Sequence, residues 1–470
     1  VSQAHYIVAD VFEALAAMPD NSVDLILTSP PFLALRSYLP ADHPDKGKEI
    51  GSEPSPAAFL DTLLDLTVEW RRVLAPHGSL CVELGDTYAG SGGAGGDYAE
   101  GGMREGQPRF RAGYDRRDGR TTMQQEDYGA PLPDRNRPRD SRPGREGTAT
   151  AMTPRPEQPG GRGWPLPKSL CGIPELYRLS LAYGRNMLQP ERTIEPWRVR
   201  NVIRWCRPNP PVGALGDKFR PATSDMVVAC TSGQRWFDLD AVRTEFTGHG
   251  YTEGSERKSP DEDNTGRNWS QGLHERRATH GGAPPLDWWQ VSTEPYKSSH
   301  YATWPRALLT RPIQAMCPSR VCVTCGEPSR RIVGDAEYVN PRNGAPAMGD
   351  FAVGRTMSGH GRDPDGRLSP ITPGQGDNGA TRVAPTLGWT DCGHNNWRNG
   401  MVLDPFAGSG TTLAVATGHG RDAIGVDLDA RNLELARDRV GPMWFYEGSP
   451  FAVHAIDCDL DGDCSCGVAS

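Results

Sequence analysis

Apolar positions along the chain fall into two regimes. Over residues 1–88, short apolar runs alternate with stretches of helical periodicity. Tyr6-Ile7-Val8-Ala9-Asp10 reads as a strand ending in an acid, and Val11 to Met18 reads as a helix. Val23 to Thr28 reads as a buried strand that stops at Ser29-Pro30-Pro31-Phe32. A helix from about Pro56 to Leu74 follows, with proline in its first turn and His77-Gly78 beyond its end, then a strand over Ser79 to Leu84. The same regime resumes at Leu166. It predicts a helix over Leu170–Leu181, strands over Arg198–Trp205, Asp225–Thr231 and Trp288–Val291, and a βαβ-like unit from Met401 to about Val440. This alternation predicts an α/β fold around a mostly parallel sheet.

The second regime has almost no aliphatic periodicity. Residues 89–165 are rich in Gly, Pro, Arg and Asp, lack the apolar surface to fold alone, and read as a disordered insertion. Residues 244–285 are polar, and 457–470 form an acidic, Cys-bearing tail that reads as flexible. Composition agrees: 55 Gly and 42 Pro among 470 residues exceed the usual share. No apolar run is long enough to span a bilayer, and Val1-Ser2-Gln3-Ala4-His5 does not read as a secretory signal. Eleven Cys are too few for a disulfide scaffold, so a reducing, cytoplasmic setting is expected and clustered Cys point to metal. The net charge of −8 argues against a general nucleic-acid coat but leaves room for a local basic cleft.

Candidate chemistry concentrates at two strand ends. Met401 to Asp404 runs into the tight turn Pro405-Phe406-Ala407-Gly408-Ser409-Gly410, and a helix opens at Thr411. Glycines there let a ligand approach the backbone beside the positive end of a helix. Asp427 closes the next strand about 20 residues on, where an acid suits ribose hydroxyls. The third glycine of the dinucleotide fingerprint is missing, which favours a nucleoside ligand without phosphates; S-adenosylmethionine (AdoMet) fits. At the other strand end, Pro30 and Pro31 fix the backbone and remove amide donors, so carbonyl oxygens can face a ligand. Ser29 adds an acceptor, and Phe32 offers a face on which a base can stack. The competing reading of Pro-Pro-Phe alone is a rigid turn with Phe32 in the core.

Ser29-Pro30-Pro31-Phe32 resembles the (S/D/N)-P-P-(Y/F) motif of amino-group DNA methyltransferases, and Asp404 to Thr412 resembles their AdoMet motif. Leu84-Gly85-Asp86-Thr87-Tyr88, Trp205-Cys206-Arg207-Pro208-Asn209-Pro210 and the segment Thr293 to Pro305 resemble further motifs of that family. The catalytic motif precedes the cofactor motif, as in the circularly permuted β group. The resemblance implies a Rossmann-like sheet with helices on both faces. It also implies that Asp404, Phe406, Gly408 and Gly410 hold AdoMet, that Asp427 binds its ribose, and that Asp10 helps on the adenine side. His300 and Thr303 would lie near the methionine end, and Ser29, Pro30, Pro31 and Phe32 would hold the target base. Ser224-Asp225 departs from the His-Glu often found in relatives.

The implied reaction is methyl transfer from AdoMet to an exocyclic amino group of a flipped base in double-stranded DNA. Ser29 in place of Asp favours cytosine N4, with adenine N6 as the alternative. A methyltransferase acting on RNA or protein, and a non-catalytic DNA- or AdoMet-binding relative, are the other two classes. A bacterial or phage source and a restriction endonuclease partner are compatible with the resemblance.

In domain terms, 1–88 and 166–243 form the catalytic half, 244–285 a target-recognition region or a loop, 286–316 the segment of the His300 motif, and 401–456 the AdoMet-binding unit. Residues 317–400 form a Cys/His insertion. There Cys322, Cys325, Cys392 and His394 could form a structural Cys3His zinc site, with Cys317 as a spare ligand and reduced thiols as the competing reading.

Overall fold

The computed structural model describes residues 2–35, 38–39, 42–89, 98–99, 103–104, 163–210, 218–244, 284–294, 303–335, 337–339 and 381–451. Most of the expected insertion 89–165, most of the 244–285 region, His300 and the 457–470 tail lie outside them.

Strands in chain order are β1 (Ala4–Val8), β2 (Val23–Thr28), β3 (Leu74–Leu84), β4 (Tyr98–Ala99), β5 (Met103–Arg104), β6 (Arg198–Cys206), β7 (Thr223–Cys230), β8 (Trp288–Gln290), β9 (Arg320–Cys322), β10 (Arg331–Val333), β11 (Glu337–Val339), β12 (Thr381–Val383), β13 (Thr386–Trp389), β14 (Trp397–Asn399), β15 (Met401–Asp404), β16 (Asp422–Asp427) and β17 (Phe445–Glu447). The main helices are α1 (Val11–Ala16), α2 (Pro56–Val73), α3 (Ile173–Tyr183), α4 (Arg306–Met316), α5 (Thr411–Gly418) and α6 (Asn432–Val440).

Nine strands form one sheet in the order β17-β1-β16-β15-β2-β3-β7-β6-β8. All neighbours from β17 to β3 are parallel, β7 runs antiparallel to both β3 and β6, and β8 is parallel to β6. This is the mostly parallel, Rossmann-like sheet in permuted order: β2 comes early in the chain and β15 late, yet they pair directly, Val402 beside Leu25 and Leu403 beside Ile26.

Every residue of β2 is buried, as expected for a strand covered on both faces. Its side chains alternate between two cores. Ile26 joins Leu15, Phe59, Leu63, Trp70 and Tyr177 beneath α1–α3, while Leu25 and Leu27 join Leu308, Ile313, Leu413 and Ala436 beneath α4–α6. α2 starts where the Ser55 hydroxyl accepts from the Ala58 amide at 3.2 Å and Pro56 occupies the first turn. β3 begins at Leu74, earlier than its apolar run suggested, because the chain leaves α2 directly into the sheet.

Candidate active site

Both predicted strand ends lie on the same rim of the sheet. β2 ends at Thr28, β15 ends at Asp404, and these two residues are joined by a buried hydrogen bond: Thr28 Oγ1 donates to Asp404 Oδ1 at 2.7 Å. Asp404 also accepts from the Phe406 amide at 3.2 Å and from the Thr412 hydroxyl. Only 2% of it is exposed, and burial pushes its carboxyl pKa up to about 6. Asp404 therefore works inside the protein, tying the glycine turn to the opening of α5 and to the end of β2.

The turn has the backbone its sequence demands, with Gly408 at φ 50° and Gly410 at φ 74°. A side chain at Gly410 would also meet Ala436 Cβ at 2.8 Å. Asp427, at the end of β16, accepts from the Gly408 amide at 2.8 Å, the Asp429 amide at 2.8 Å and Asn432 Nδ2 at 3.0 Å. Although the residue is only half-buried, desolvation of its carboxyl by the surrounding protein pushes its pKa up to about 6. Tyr6 of β1 supports the turn from below, its hydroxyl donating to the Gly408 carbonyl at 2.7 Å.

The Ala9 amide donates to the Asp427 carbonyl at 3.1 Å, and Asp10 follows where β1 leaves its pairing with β16. The Asp10 carboxylate caps α1, accepting from the amides of Phe12 and Glu13. Phe406 and Thr303 are half-buried. The donor set fits AdoMet. Two glycines hold the turn in left-handed backbone, Asp427 and Phe406 stand half-buried beside it, and Ser409 Oγ is buried with no hydrogen-bond partner among the described residues.

Ser29 and Phe32 follow β2, and both are half-buried, whereas Pro30 is buried. Phe32 is not a core residue. Its ring lies on the backbone of Gly85 at the end of β3, so closely that a Cβ there would stand 2.5 Å from its Cε2. The Ser29 hydroxyl donates to Glu83 Oε2 at 2.6 Å. Glu83 is buried in β3, and burial raises its pKa above the usual range; hydrogen bonds from Ser224 and Ser29 and the charge of Arg207 only partly offset this. Arg207 in turn donates to the Ser224 hydroxyl at 3.2 Å. Ser224 thus belongs to the support of Glu83, while its neighbour Asp225 pairs with Arg204 at 2.9 Å.

Glu83, Thr28, Tyr6, Arg207 and Ser224 were not singled out as site residues from sequence. One signal was available for Glu83: it is the only acid in the apolar run Ser79-Leu80-Cys81-Val82-Glu83-Leu84. Away from this rim, the four residues proposed as metal ligands do come together, and Cys317 is not among them.

The sequence model of a family of DNA methylases that act on amino N6 or N4 matches residues 23–324 and 393–438. The chain belongs to this family. It is an AdoMet-dependent DNA methyltransferase acting on cytosine N4 or adenine N6. Among curated relatives, the Type II methyltransferase M.Cfr9I of Citrobacter freundii is 27% identical over 346 residues, covering 70% of this chain and 83% of that one. The Type II methyltransferase M.SmaI of Serratia marcescens is 23% identical over 436 residues, covering 92% and 89%. Among solved structures, the PvuII DNA methyltransferase (cytosine-N4-specific) aligns over 93% of this chain and 86% of its own, with a TM-score of 0.41 and 12% identity. Among the described residues, no helix of this methyltransferase is long and apolar enough to cross a membrane.

Proposed function

We propose that this methyltransferase acts on the exocyclic N4 of cytosine in duplex DNA, with Ser29 and Glu83 as the pair that receives the amino group. The observation that carries the reading is the 2.6 Å hydrogen bond from the Ser29 hydroxyl to the buried Glu83, one residue beyond the Thr28–Asp404 link to the cofactor turn. The choice of cytosine over adenine rests on serine at the first position of the motif.

AdoMet supplies a methyl group already activated on a sulfonium, so no metal or enzyme nucleophile is asked of the site. The turn at Gly408 and Gly410 with Phe406 would hold it, Asp427 would take its ribose, Asp10 would stand on the adenine side, and Thr303 with His300 near the methionine end. A flipped cytosine would lie against Phe32, whose ring is held flat by Gly85. Because the Ser29 proton is committed to Glu83, the serine oxygen turns its lone pairs outward. An amino proton donated to it, and another to the Pro30 carbonyl, would loosen the nitrogen lone pair from the ring and aim it at the methyl group. As the N–C bond forms, the methyl C–S bond would break with its electron pair returning to sulfur, leaving S-adenosylhomocysteine, while the surplus amino proton would pass to Ser29 Oγ and the serine proton to ionised Glu83. Catalysis is then positioning plus electrostatics.

The test is methylation of mixed-sequence duplex DNA, digested to nucleosides and read by mass spectrometry. N4-methylcytosine is expected. N6-methyladenine would overturn the base assignment, and no methylated nucleoside from AdoMet-competent protein would overturn the catalytic reading.

A further inference from the structure

We propose that Cys322, Cys325, Cys392 and His394 bind one zinc ion in a closed, structural Cys3His site that fastens the start of the cofactor strand β15 to the base of the sheet.

The four ligand atoms lie within 4.8 Å of one another, although they come from two segments separated by residues 326–391. His394 Nδ1 is 3.6 Å from Cys322 Sγ and 3.3 Å from Cys392 Sγ. A tetrahedron with Zn–S of about 2.3 Å and Zn–N of about 2.0 Å has S···N edges of about 3.5 Å, so these separations are those of ligands around one ion.

The backbone is shaped for the purpose. After Cys322 the chain folds into a knuckle, with the Gly326 amide donating to the Cys322 carbonyl at 2.9 Å and Gly326 at φ 73°. On the other segment, Asp391 accepts from the Gly393 amide at 2.7 Å, and Gly393 and Asn395 both take positive φ, which turns Cys392 and His394 toward the knuckle. On binding, the three thiols release their protons to water. Three Zn–S bonds and one Zn–N bond then fill the coordination sphere, leaving no position for a substrate or water.

The location gives the site its role. β9 and β14 pair antiparallel, with Trp397 opposite Cys322, and β14 runs through Gly400 straight into β15. Arg398 of β14 forks onto the buried Asp24 at the start of β2, at 2.6 and 3.0 Å, and Asn399 reaches Asp422 at the start of β16 at 2.9 Å. These contacts are at the strand starts, the opposite rim from Ser29 and Asp427. An ion here would hold the β9–β14 pair that delivers β15 into register and would take no part in methyl transfer.

The test uses the untagged full chain, purified under reducing conditions without chelator. Zinc released by a mercurial is measured with a colorimetric indicator, and the metal-free chain is titrated with Co(II). About one zinc per chain is expected. So are the intense visible bands and thiolate charge-transfer absorption of tetrahedral cobalt. Cys392→Ser and His394→Ala should each bind metal at least tenfold more weakly. Thermal melting of the wild type should drop on metal removal and recover when zinc is returned. A wild-type chain that takes up neither metal would overturn the proposal, as would weak octahedral cobalt bands, a disulfide among these cysteines in the reduced protein, or variants that bind as tightly as the wild type. If the variants fail to fold, the wild-type cobalt spectrum decides alone.

Discussion

At the scale of single residues, the proposed reaction rests on one carboxylate, Glu83, which is buried in β3. Glu83 can accept a proton through Ser29 only when ionised, and burial places its pKa above the ordinary glutamate range. The rate of methyl transfer should therefore be full above that raised pKa and fall as pH drops through it. A single-turnover pH profile checks this, and an acid limb at the ordinary glutamate value would count against Glu83. Glu83→Gln keeps the shape and an acceptor for Ser29 but cannot take the proton. It should slow transfer by about 100-fold or more while leaving AdoMet affinity unchanged by calorimetry. The opposite split separates two further residues. Phe32→Ala should abolish transfer and spare AdoMet binding, whereas Asp427→Ala should weaken AdoMet binding directly; an unchanged affinity would remove Asp427 from the cofactor site.

At the scale of elements, strand ends and turns do the positioning, and two glycines show how little tolerance they have. Gly85 closes β3 under the ring of Phe32, and an added Cβ would stand 2.5 Å from Cε2 and 2.9 Å from Cδ2. In the proposed reaction the Phe32 ring would be confined between Gly85 and the target base, and the β3 backbone cannot move far. Gly85→Ala should therefore lower the transfer rate about tenfold or more with AdoMet affinity intact; a wild-type rate would show that Phe32 is not held there. Gly400 stands between β14 and β15, where a Cβ would be 1.9 Å from the Pro318 carbonyl oxygen, so this joint accepts only glycine unless the segment before β9 moves. The elements themselves were largely legible. The prolines, glycines and apolar periods around β2, α2, β15, α5 and β16 place each within a few residues, because these signals act between near neighbours in the chain. The early start of β3 was not legible, since Leu74 serves equally well as the end of an apolar helix face.

At the scale of the whole molecule, two rims of one sheet carry different tasks: the strand ends carry chemistry and the strand starts carry a clamp. Asp24 is fully buried at the start of β2 and accepts from Arg398, from the Met401 amide at 2.7 Å and from His77 at 2.9 Å. Burial alone would raise its pKa, but hydrogen bonds from His77 and Arg398 outweigh it and hold the carboxyl below the usual range. Its contribution to stability is therefore present above the unfolded-state pKa and is lost as pH falls through the folded one. Asp24→Asn leaves Arg398 without its counter-charge and should cost about 3–5 kcal/mol in denaturant unfolding at neutral pH. A loss below about 1 kcal/mol would mean the clamp is mostly solvent-compensated.

The chain order alone carried the fold class, the permuted order of motifs, the two candidate strand ends and the Cys/His set. The fold class, the strand ends and the Cys/His set rest on local rules, namely period of burial, turn chemistry, and residue types with few alternative uses, whereas the permuted order came from the resemblance of the motifs to those of a known family. Folding added the partnerships. Thr28 meets Asp404 across 376 positions, and β1 enters the sheet between β16 and β17 from the other end of the chain. Ser29 finds Glu83 on the neighbouring strand, and Asp404, readable as a cofactor ligand, spends its oxygens on protein donors. A hydrogen bond needs its two groups within about 3 Å, and separation along the chain says nothing about that distance until the sheet order is set.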